Sequence, residues 1–163
     1  VLNGLLAIEH KVNENDWVFV HDAARPCFRN EDIVSLINAV ARQAVGGILA
    51  VPVTDTLKKM LPEPLSLNVQ SIERTLDRSS VWCAQTPQIF KYQILRDAID
   101  QALLAGADIT DEASAVELSG HACIAVEGHA DNIKITKPGD IELARFYLDQ
   151  MKLTCIQDQK ASL

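Results

Sequence analysis

Val18-Phe19-Val20-His21-Asp22-Ala23-Ala24-Arg25-Pro26 decides how this chain is read. Three β-formers in a row, without polar alternation, predict a strand covered on both faces, as in a parallel sheet sandwiched between helices. The run ends in an acid and a base three residues apart, and Pro26 then stops regular structure. Open α/β sheets bind ligands just beyond the carboxyl ends of such strands. An Asp and an Arg on that rim suit a hydroxyl or metal on one side and a phosphate on the other. An Asp22–Arg25 ion pair that only tightens the strand-to-helix turn fits the same residues equally well.

Outward from this stretch the pattern is helix, strand, helix, strand. Residues 1 to about 10 read as an amphipathic helix, Asn13-Glu14-Asn15-Asp16 as a polar turn, and 17–20 as the strand. Asn30 is a candidate cap for a helix over about 31–45, with Ile33, Leu36, Ile37 and Val40 on one apolar face. Gly46-Gly47 is expected to stop it, before a buried strand over 48–53. This alternation favours a largely parallel α/β sheet.

Residues 54–80 break the rhythm. Thr54–Met60 is polar and β-like, Pro62 and Pro64 suggest a turn, and Val69–Leu76 is a second polar strand-like run. Such a hairpin is either a surface excursion or a protruding arm that clasps a second subunit. The rhythm then resumes with a short apolar segment, Val81–Gln85, ended by Thr86-Pro87-Gln88. A helix over about 91–104 is terminated by Gly106, and Thr110 or Asp111 caps the helix Glu112–Leu118, closed by Gly120. Cys123–Val126 and Asn132–Thr136 read as strands. Pro138-Gly139-Asp140 opens a last helix expected to bury Leu143, Phe146, Tyr147 and Met151, with a frayed polar tail from about Thr154.

The 163 residues suit one domain, and 48% hydrophobic content supports a core. With 22 acidic against 15 basic residues the net charge is −7, which disfavours nucleic acid as a partner but leaves room for a small anionic substrate in a locally basic pocket. Cys27, Cys83, Cys123 and Cys155 are far apart, with no C-x-x-C, and the four His form no cluster. Reduced thiols, no zinc site and a cytoplasmic location are the expectation, since no membrane-length apolar run or signal peptide is present. The chain begins Val1-Leu2-Asn3-Gly4 without Met and already in a helical pattern, as a piece of a longer protein would.

Five polar clusters fall at predicted element ends: Asp22/Arg25, Asp55-Thr56, Asp77-Arg78, Thr110-Asp111-Glu112 and Asp131–Lys134. Each has a plain structural explanation, such as a helix start favouring carboxylates or a solvated loop pair. Together they suit a substrate bearing phosphates and hydroxyls, whose transfer chemistry needs anion clamps, a metal and in-line positioning. No G-x-S-x-G elbow points to nucleophilic catalysis. The seven glycines form no G-x-G-x-x-G or P-loop cradle for a triphosphate.

Six segments stand in the order found in one family: Val20–Pro26, Val51–Lys58, Leu76–Arg78, Thr86–Gln88, Ile109–Ser114 and Gly128–Thr136. They strongly resemble the 2-C-methyl-D-erythritol 4-phosphate cytidylyltransferases of the non-mevalonate isoprenoid pathway, from the opening helix to about Leu153. The resemblance implies a Rossmann-like nucleotidyltransferase sheet, N-terminally incomplete, with residues 54–80 as a β-arm that interlocks a homodimer. It implies transfer of a cytidylyl group from CTP to methylerythritol 4-phosphate, with Mg²⁺ and release of pyrophosphate. The substrate phosphate itself attacks the α-phosphorus, so no protein nucleophile is needed. By motif match, Asp22 holds substrate hydroxyls and Arg25 sits at the substrate phosphate. Thr56 and Arg78 complete the neighbouring subunit's phosphate pocket, Lys134 neutralises charge near the α-phosphate, and Thr86 and Thr110 are secondary binding positions. Family members begin with a strand and a glycine-rich, Arg-bearing loop, then a Lys, which bind CTP. Those groups have no counterpart in this sequence, so the expectation is that this stretch alone is inactive or nearly so. The alternatives are a cytidylyltransferase for another polyol phosphate, such as ribitol 5-phosphate, and a non-catalytic dimerising module.

Overall fold

In the computed structural model, residues 1–42 and 45–161 are described, with side chains as far as Thr154. Helix α1 (Leu2–Ile8) runs into a short 3-10 turn, and β1 (Trp17–Val20) follows the predicted polar turn, closed by Asp16 accepting from the Asn13 N–H at 2.8 Å. Then come α2 (Asn30–Val40), β2 (Gly46–Pro52), β3 (Lys58–Ser66), β4 (Val69–Thr75), β5 (Trp82–Lys91), α3 (Tyr92–Leu104), α4 (Glu112–Leu118), β6 (Ile124–Glu127) and α5 (Pro138–Ala161).

The main sheet has the order β1-β5-β2-β6. β1, β2 and β6 point the same way, and β5 runs against both of its neighbours. The reason lies in the chain path. β2 carries the chain out to the 54–80 excursion and β5 brings it back, with Pro52 opposite Trp82 and the Val53 N–H donating to the Val81 carbonyl at 3.1 Å. β2 and β5 are thus the two stems of one long hairpin, and β3 and β4 form a separate two-stranded sheet at its tip.

β5 is the axis of the core. Successive side chains in a strand face opposite sides. Phe90 packs with Leu5, Leu95, Ala113 and Val116 under α1, α3 and α4. Ile89 packs with Leu36, Val40 and Leu49 under α2. Helices therefore cover both faces at β5. β1, expected from its unalternated sequence to be covered on both faces in parallel pairing, instead stands at the end of the strand order, pairs antiparallel with β5 among the described residues, and leaves Phe19 exposed.

Several local expectations are corrected. Asn30 is the first helical residue of α2 and caps nothing; Arg29 precedes it without a side-chain cap, and Ile37 is exposed. α2 ends at Val40, so Gly46-Gly47 terminates no helix and opens β2 instead. A Cβ on Gly46 would lie 2.2 Å from the Ile89 carbonyl oxygen, and one on Gly47 would lie 2.6 Å from Ile124 Cγ1. The two glycines let β2 lie close to both neighbours. The last residues assigned to the predicted helix include 43 and 44, which lie outside the described residues.

Pro62 and Pro64 sit inside β3, not in a turn; β3 pairs only with β4 among the described residues, and its ladder slips in register around them. Proline is tolerated where no partner strand needs its missing N–H. The turn is made at Leu67-Asn68, where Asn68 takes a left-handed φ of 64°. Thr54–Leu57 joins no strand. Thr86-Pro87 does not end the strand either: β5 continues through it with a register shift between the partners of Ile48 and Ala50. Residues 132–136 are irregular and not a strand. α5 continues as a helix to Ala161, where a frayed tail is expected from the sequence. Of its apolar residues, Ala144 is buried, whereas Leu143 and Phe146 are exposed.

Two local expectations are met. Asp111 caps α4 in a capping box with Ser114, accepting from its N–H at 2.9 Å. Gly106 and Gly120 take left-handed φ values of 65° and 86° just past α3 and α4. Among the described residues, no helix is long and apolar enough to cross a membrane.

Candidate functional site

Because β1 and β6 are parallel, the segments that leave their carboxyl ends emerge on one edge of the sheet, the edge where α/β sheets bind ligands. The first segment carries Asp22 and Arg25, and the second carries Lys134. They meet there. Lys134 Nζ lies 2.9 Å from Asp22 Oδ2, and Arg25 Nε lies 3.6 Å from the same oxygen. Lys134 beside Asp22 holds its carboxyl below the ordinary 3.8, against an opposing push from burial, with Arg25 adding to the effect. Burial lowers the Arg25 guanidinium from its ordinary value. It stays charged at any working pH.

Arg25 is also a staple. Its Nη1 donates to the Asn132 carbonyl at 2.7 Å and its Nη2 to the Ala84 carbonyl at 3.2 Å. Lys134 is about half exposed and is the more available cation of the two.

The register shift in β5 brings Thr86 to this edge. Its Oγ1 accepts from the Asp22 N–H at 3.0 Å and lies 3.0 Å from His21 Nδ1. His21 Nε2 is in turn 3.0 Å from the Arg25 carbonyl, which only accepts, so His21 donates there, and in that tautomer of the ring Nδ1 accepts a hydrogen bond from the Thr86 hydroxyl. Thr86 is 7% exposed, with its hydroxyl occupied by this chain of bonds. It shapes the Asp22 turn from beneath.

The Thr110-Asp111-Glu112 corner is tied to the same edge through Gln88, which stands opposite Val20 in the β1–β5 ladder. Gln88 Nε2 donates to Asp111 Oδ2 at 2.9 Å, and its Oε1 accepts from the Ala113 N–H at 3.0 Å. Burial pushes the Glu112 carboxyl up, with the Asp111 and Asp22 charges adding to it. Thr110 is exposed, on the rim of a cleft of about 370 Å³ between α1, α3 and α4 that Asp22, Arg25 and Lys134 do not line.

Thr56 and Arg78 are not brought to this cluster. Both are exposed at the root of the arm, where Arg78 Nη1 donates to the Thr54 carbonyl. The sequence gives no sign that His21, Gln85 and Gln88 belong to the site, and it marks Asn132 and Glu112 only as members of the polar clusters Asp131–Lys134 and Thr110-Asp111-Glu112. All five stand inside or beside the quoted segments, yet nothing in the sequence shows that Asn132 and Gln88 are turned inward. Their burial depends on β5 and the 128–136 segment lying side by side.

Among the described residues, no group of three or more His, Cys, Asp or Glu side chains is placed to hold a metal ion. The cluster is a carboxylate between two cations on an open edge. It suits a ligand that offers hydroxyls to Asp22 and anionic oxygens to Lys134.

A family model described as IspD, 2-C-methyl-D-erythritol 4-phosphate cytidylyltransferase, matches residues 1–150. The 2-C-methyl-D-erythritol 4-phosphate cytidylyltransferase of Haemophilus influenzae strain PittGG is 51% identical over 153 residues, which are 94% of this chain and 63% of that protein. Its counterpart in Aliivibrio fischeri strain MJ11 is 50% identical over 153 residues, covering 93% and 61%. This chain thus spans about three-fifths of the length of these relatives. A crystal structure of 4-diphosphocytidyl-2C-methyl-D-erythritol synthase superposes with a TM-score of 0.76 at 41% identity, over 90% of this chain and 64% of that one. The Francisella tularensis 2-C-methyl-D-erythritol 4-phosphate cytidylyltransferase does so with a TM-score of 0.76 at 38% identity, over 90% and 65%.

Proposed function

The chain belongs to the 2-C-methyl-D-erythritol 4-phosphate cytidylyltransferase family, and from that premise we propose that it carries the polyol-phosphate side of a cytidylyl transfer from CTP. A phosphate oxygen of methylerythritol 4-phosphate attacks the α-phosphorus of CTP in line. The new P–O bond forms as the bond to the departing pyrophosphate breaks. No proton need be removed from an ionised phosphate, so the work left to the protein is positioning and charge neutralisation.

The observation that carries this reading is the 2.9 Å contact of Lys134 with Asp22 on the ligand-binding edge. Asp22 accepts hydrogen bonds from the polyol hydroxyls. That frees Lys134 Nζ to face the charge that builds on the α-phosphate oxygens. Arg25 supplies a further positive charge for the substrate phosphate, and Thr110 borders the same edge. Thr86 contributes by holding the Asp22 backbone. Thr56 and Arg78 act in the site of a second copy, carried there by the arm of residues 54–80, so the working unit is a homodimer of one-domain subunits. Magnesium favours substrate phosphates with one or two carboxylates over all-protein cages. Mg²⁺ would be held by oxygens of the triphosphate and would neutralise part of their charge there.

The test is Mg²⁺-dependent pyrophosphate release from CTP and methylerythritol 4-phosphate. It is run with this chain alone and with the chain joined to the part of a relative that it does not cover. Release by the joined form, strongly reduced but still measurable in Lys134→Met, is the expected result. Release with ribitol 5-phosphate in preference to methylerythritol 4-phosphate would overturn the substrate, and no release with either would overturn the reaction.

A further inference from the structure

Lys134 reaches Asp22 from a segment with no ladder of its own, because residues 128–136 contain neither helix nor strand. A half-exposed lysine on irregular backbone has many places to go unless the backbone beneath it is fixed. Asn132, two residues earlier, is fully buried at 0% exposure. Its Nδ2 donates to the Thr86 carbonyl at 2.9 Å. With a carbonyl oxygen in front of it, the amide has only this orientation, NH₂ toward Thr86.

The main-chain carbonyl of the same residue accepts from Arg25 Nη1 at 2.7 Å and from Gln85 Nε2 at 3.4 Å. Gln85 Nε2 also donates to the His129 carbonyl at 2.9 Å. Thr86, meanwhile, takes the Asp22 N–H on its hydroxyl oxygen. One residue therefore bonds β5 through its side chain and Arg25 through its carbonyl, and it holds the backbone from which Lys134 extends. Further ties hold the segment on either side: the Ile135 N–H donates to the Ala24 carbonyl at 2.8 Å, His129 Nδ1 meets buried Asp32 at 2.7 Å, and Arg29 pairs with Asp131.

We propose that Asn132 is the positioning residue of this site: it touches no substrate, and it sets Lys134 and Arg25 at their distances from Asp22. As a statement about catalysis this rests on the cytidylyl-transfer reading above. As a statement about geometry it does not. A general packing role would lower stability and leave the Asp22–Lys134 contact intact in whatever protein still folds. A positioning role moves that contact.

The test uses Asn132→Ala, Gln85→Met, Lys134→Met and the double variant Asn132→Ala/Lys134→Met, all made in the joined protein described above and each checked for folding by circular dichroism. Carbon-13 NMR follows the Asp22 carboxyl through its acid titration, and steady-state kinetics follow cytidylyl transfer. In Asn132→Ala the Asp22 titration is expected to move up toward its ordinary value. kcat is expected to fall about 100-fold, the scale of a one-ångström misplacement, with KM changed far less. In the Lys134→Met background the same substitution should lower kcat only slightly further. Gln85→Met loosens the same carbonyl and keeps the Asn132 amide, so it gives a smaller change in the same direction and serves if Asn132→Ala does not fold. A folded variant with the wild-type Asp22 titration and kcat overturns the proposal, as does an undiminished effect in the Lys134→Met background. If the wild-type protein transfers no cytidylyl group while the titration still moves, the reaction assignment fails and the brace stands.

Discussion

Asp22 holds its place by giving up protonation range. With Lys134 at 2.9 Å its folded carboxyl is more acidic than in the unfolded chain, so the native state binds fewer protons there. The stability this contributes is fully present above the unfolded value, and it is lost as the pH falls through the lower folded one. Urea titrations of the wild type and Asp22→Asn should therefore differ most above about pH 4 and converge below the folded value. A constant difference down to the acid transition would mean that the ion pair does not form in solution. The thiols make a second test at this scale. Burial, with the Glu117 and Asp111 charges, pushes Cys123 up to about 11, and Cys27 is fully buried and also raised, whereas Cys83 is exposed. A maleimide at about pH 7.5 should modify Cys83 in the folded protein and leave Cys27 and Cys123 untouched, because only the thiolate reacts. Peptide mapping by mass spectrometry reads each site, and rapid labelling of Cys123 would contradict the packing against α4.

Among the elements, β5 carries most of the site's geometry. Its alternate side chains anchor both cores, and its irregular stretch at Gln85-Thr86-Pro87 turns a hydroxyl and a main-chain carbonyl toward the Asp22 and Lys134 segments. Bulged strands re-aim side chains in this way, often next to binding sites. The position of β5 depends in turn on β2 lying close beside it. Gly46→Ala forces a methyl group to within 2.2 Å of the Ile89 carbonyl oxygen, and main chain cannot yield as a side-chain tip can. The expected cost is about 1–3 kcal/mol, as for overpacked cores, seen as a lower urea midpoint with an unchanged slope. An unaltered midpoint would mean that the two strands can spread.

Across the whole molecule, the long β2–β5 hairpin separates two tasks. Its stems build the sheet, and its tip, β3–β4, stands apart with Leu65, Leu67 and Ile72 exposed. Apolar side chains on an isolated hairpin are what a partner surface covers. Replacing residues 58–75 by a short turn should convert a dimer to a monomer in sedimentation, with little change in thermal midpoint, since these strands pair only with each other among the described residues. On the function proposed above, the same change should raise KM for methylerythritol 4-phosphate, because it displaces Arg78 and Thr56 together. A shortened protein that remains dimeric with an unchanged KM would remove the arm from the site.

Strand β1, a cap for α4 at Thr110 or Asp111, and the Gly106 and Gly120 stops were legible in the sequence, because each is set by residues within a few positions of one another. So was the family, because its six segments are contiguous strings in order. The sequence also marked Asp22, Arg25 and Lys134 as candidate site residues without saying how they meet. What it misjudged were the features fixed by distant chain. Gly46-Gly47 looks like a helix stop until Ile89 and Ile124 are beside it, and Pro87 looks like a strand end until Ile48 and Ala50 show the ladder stepping past it. Phe146 looks like core until α5 is seen to bury Ala144 instead. Asn132 reads as an ordinary polar residue in a loop. Only the approach of that loop to β5, 46 residues away in sequence at Thr86, buries it and makes its hydrogen bonds obligatory.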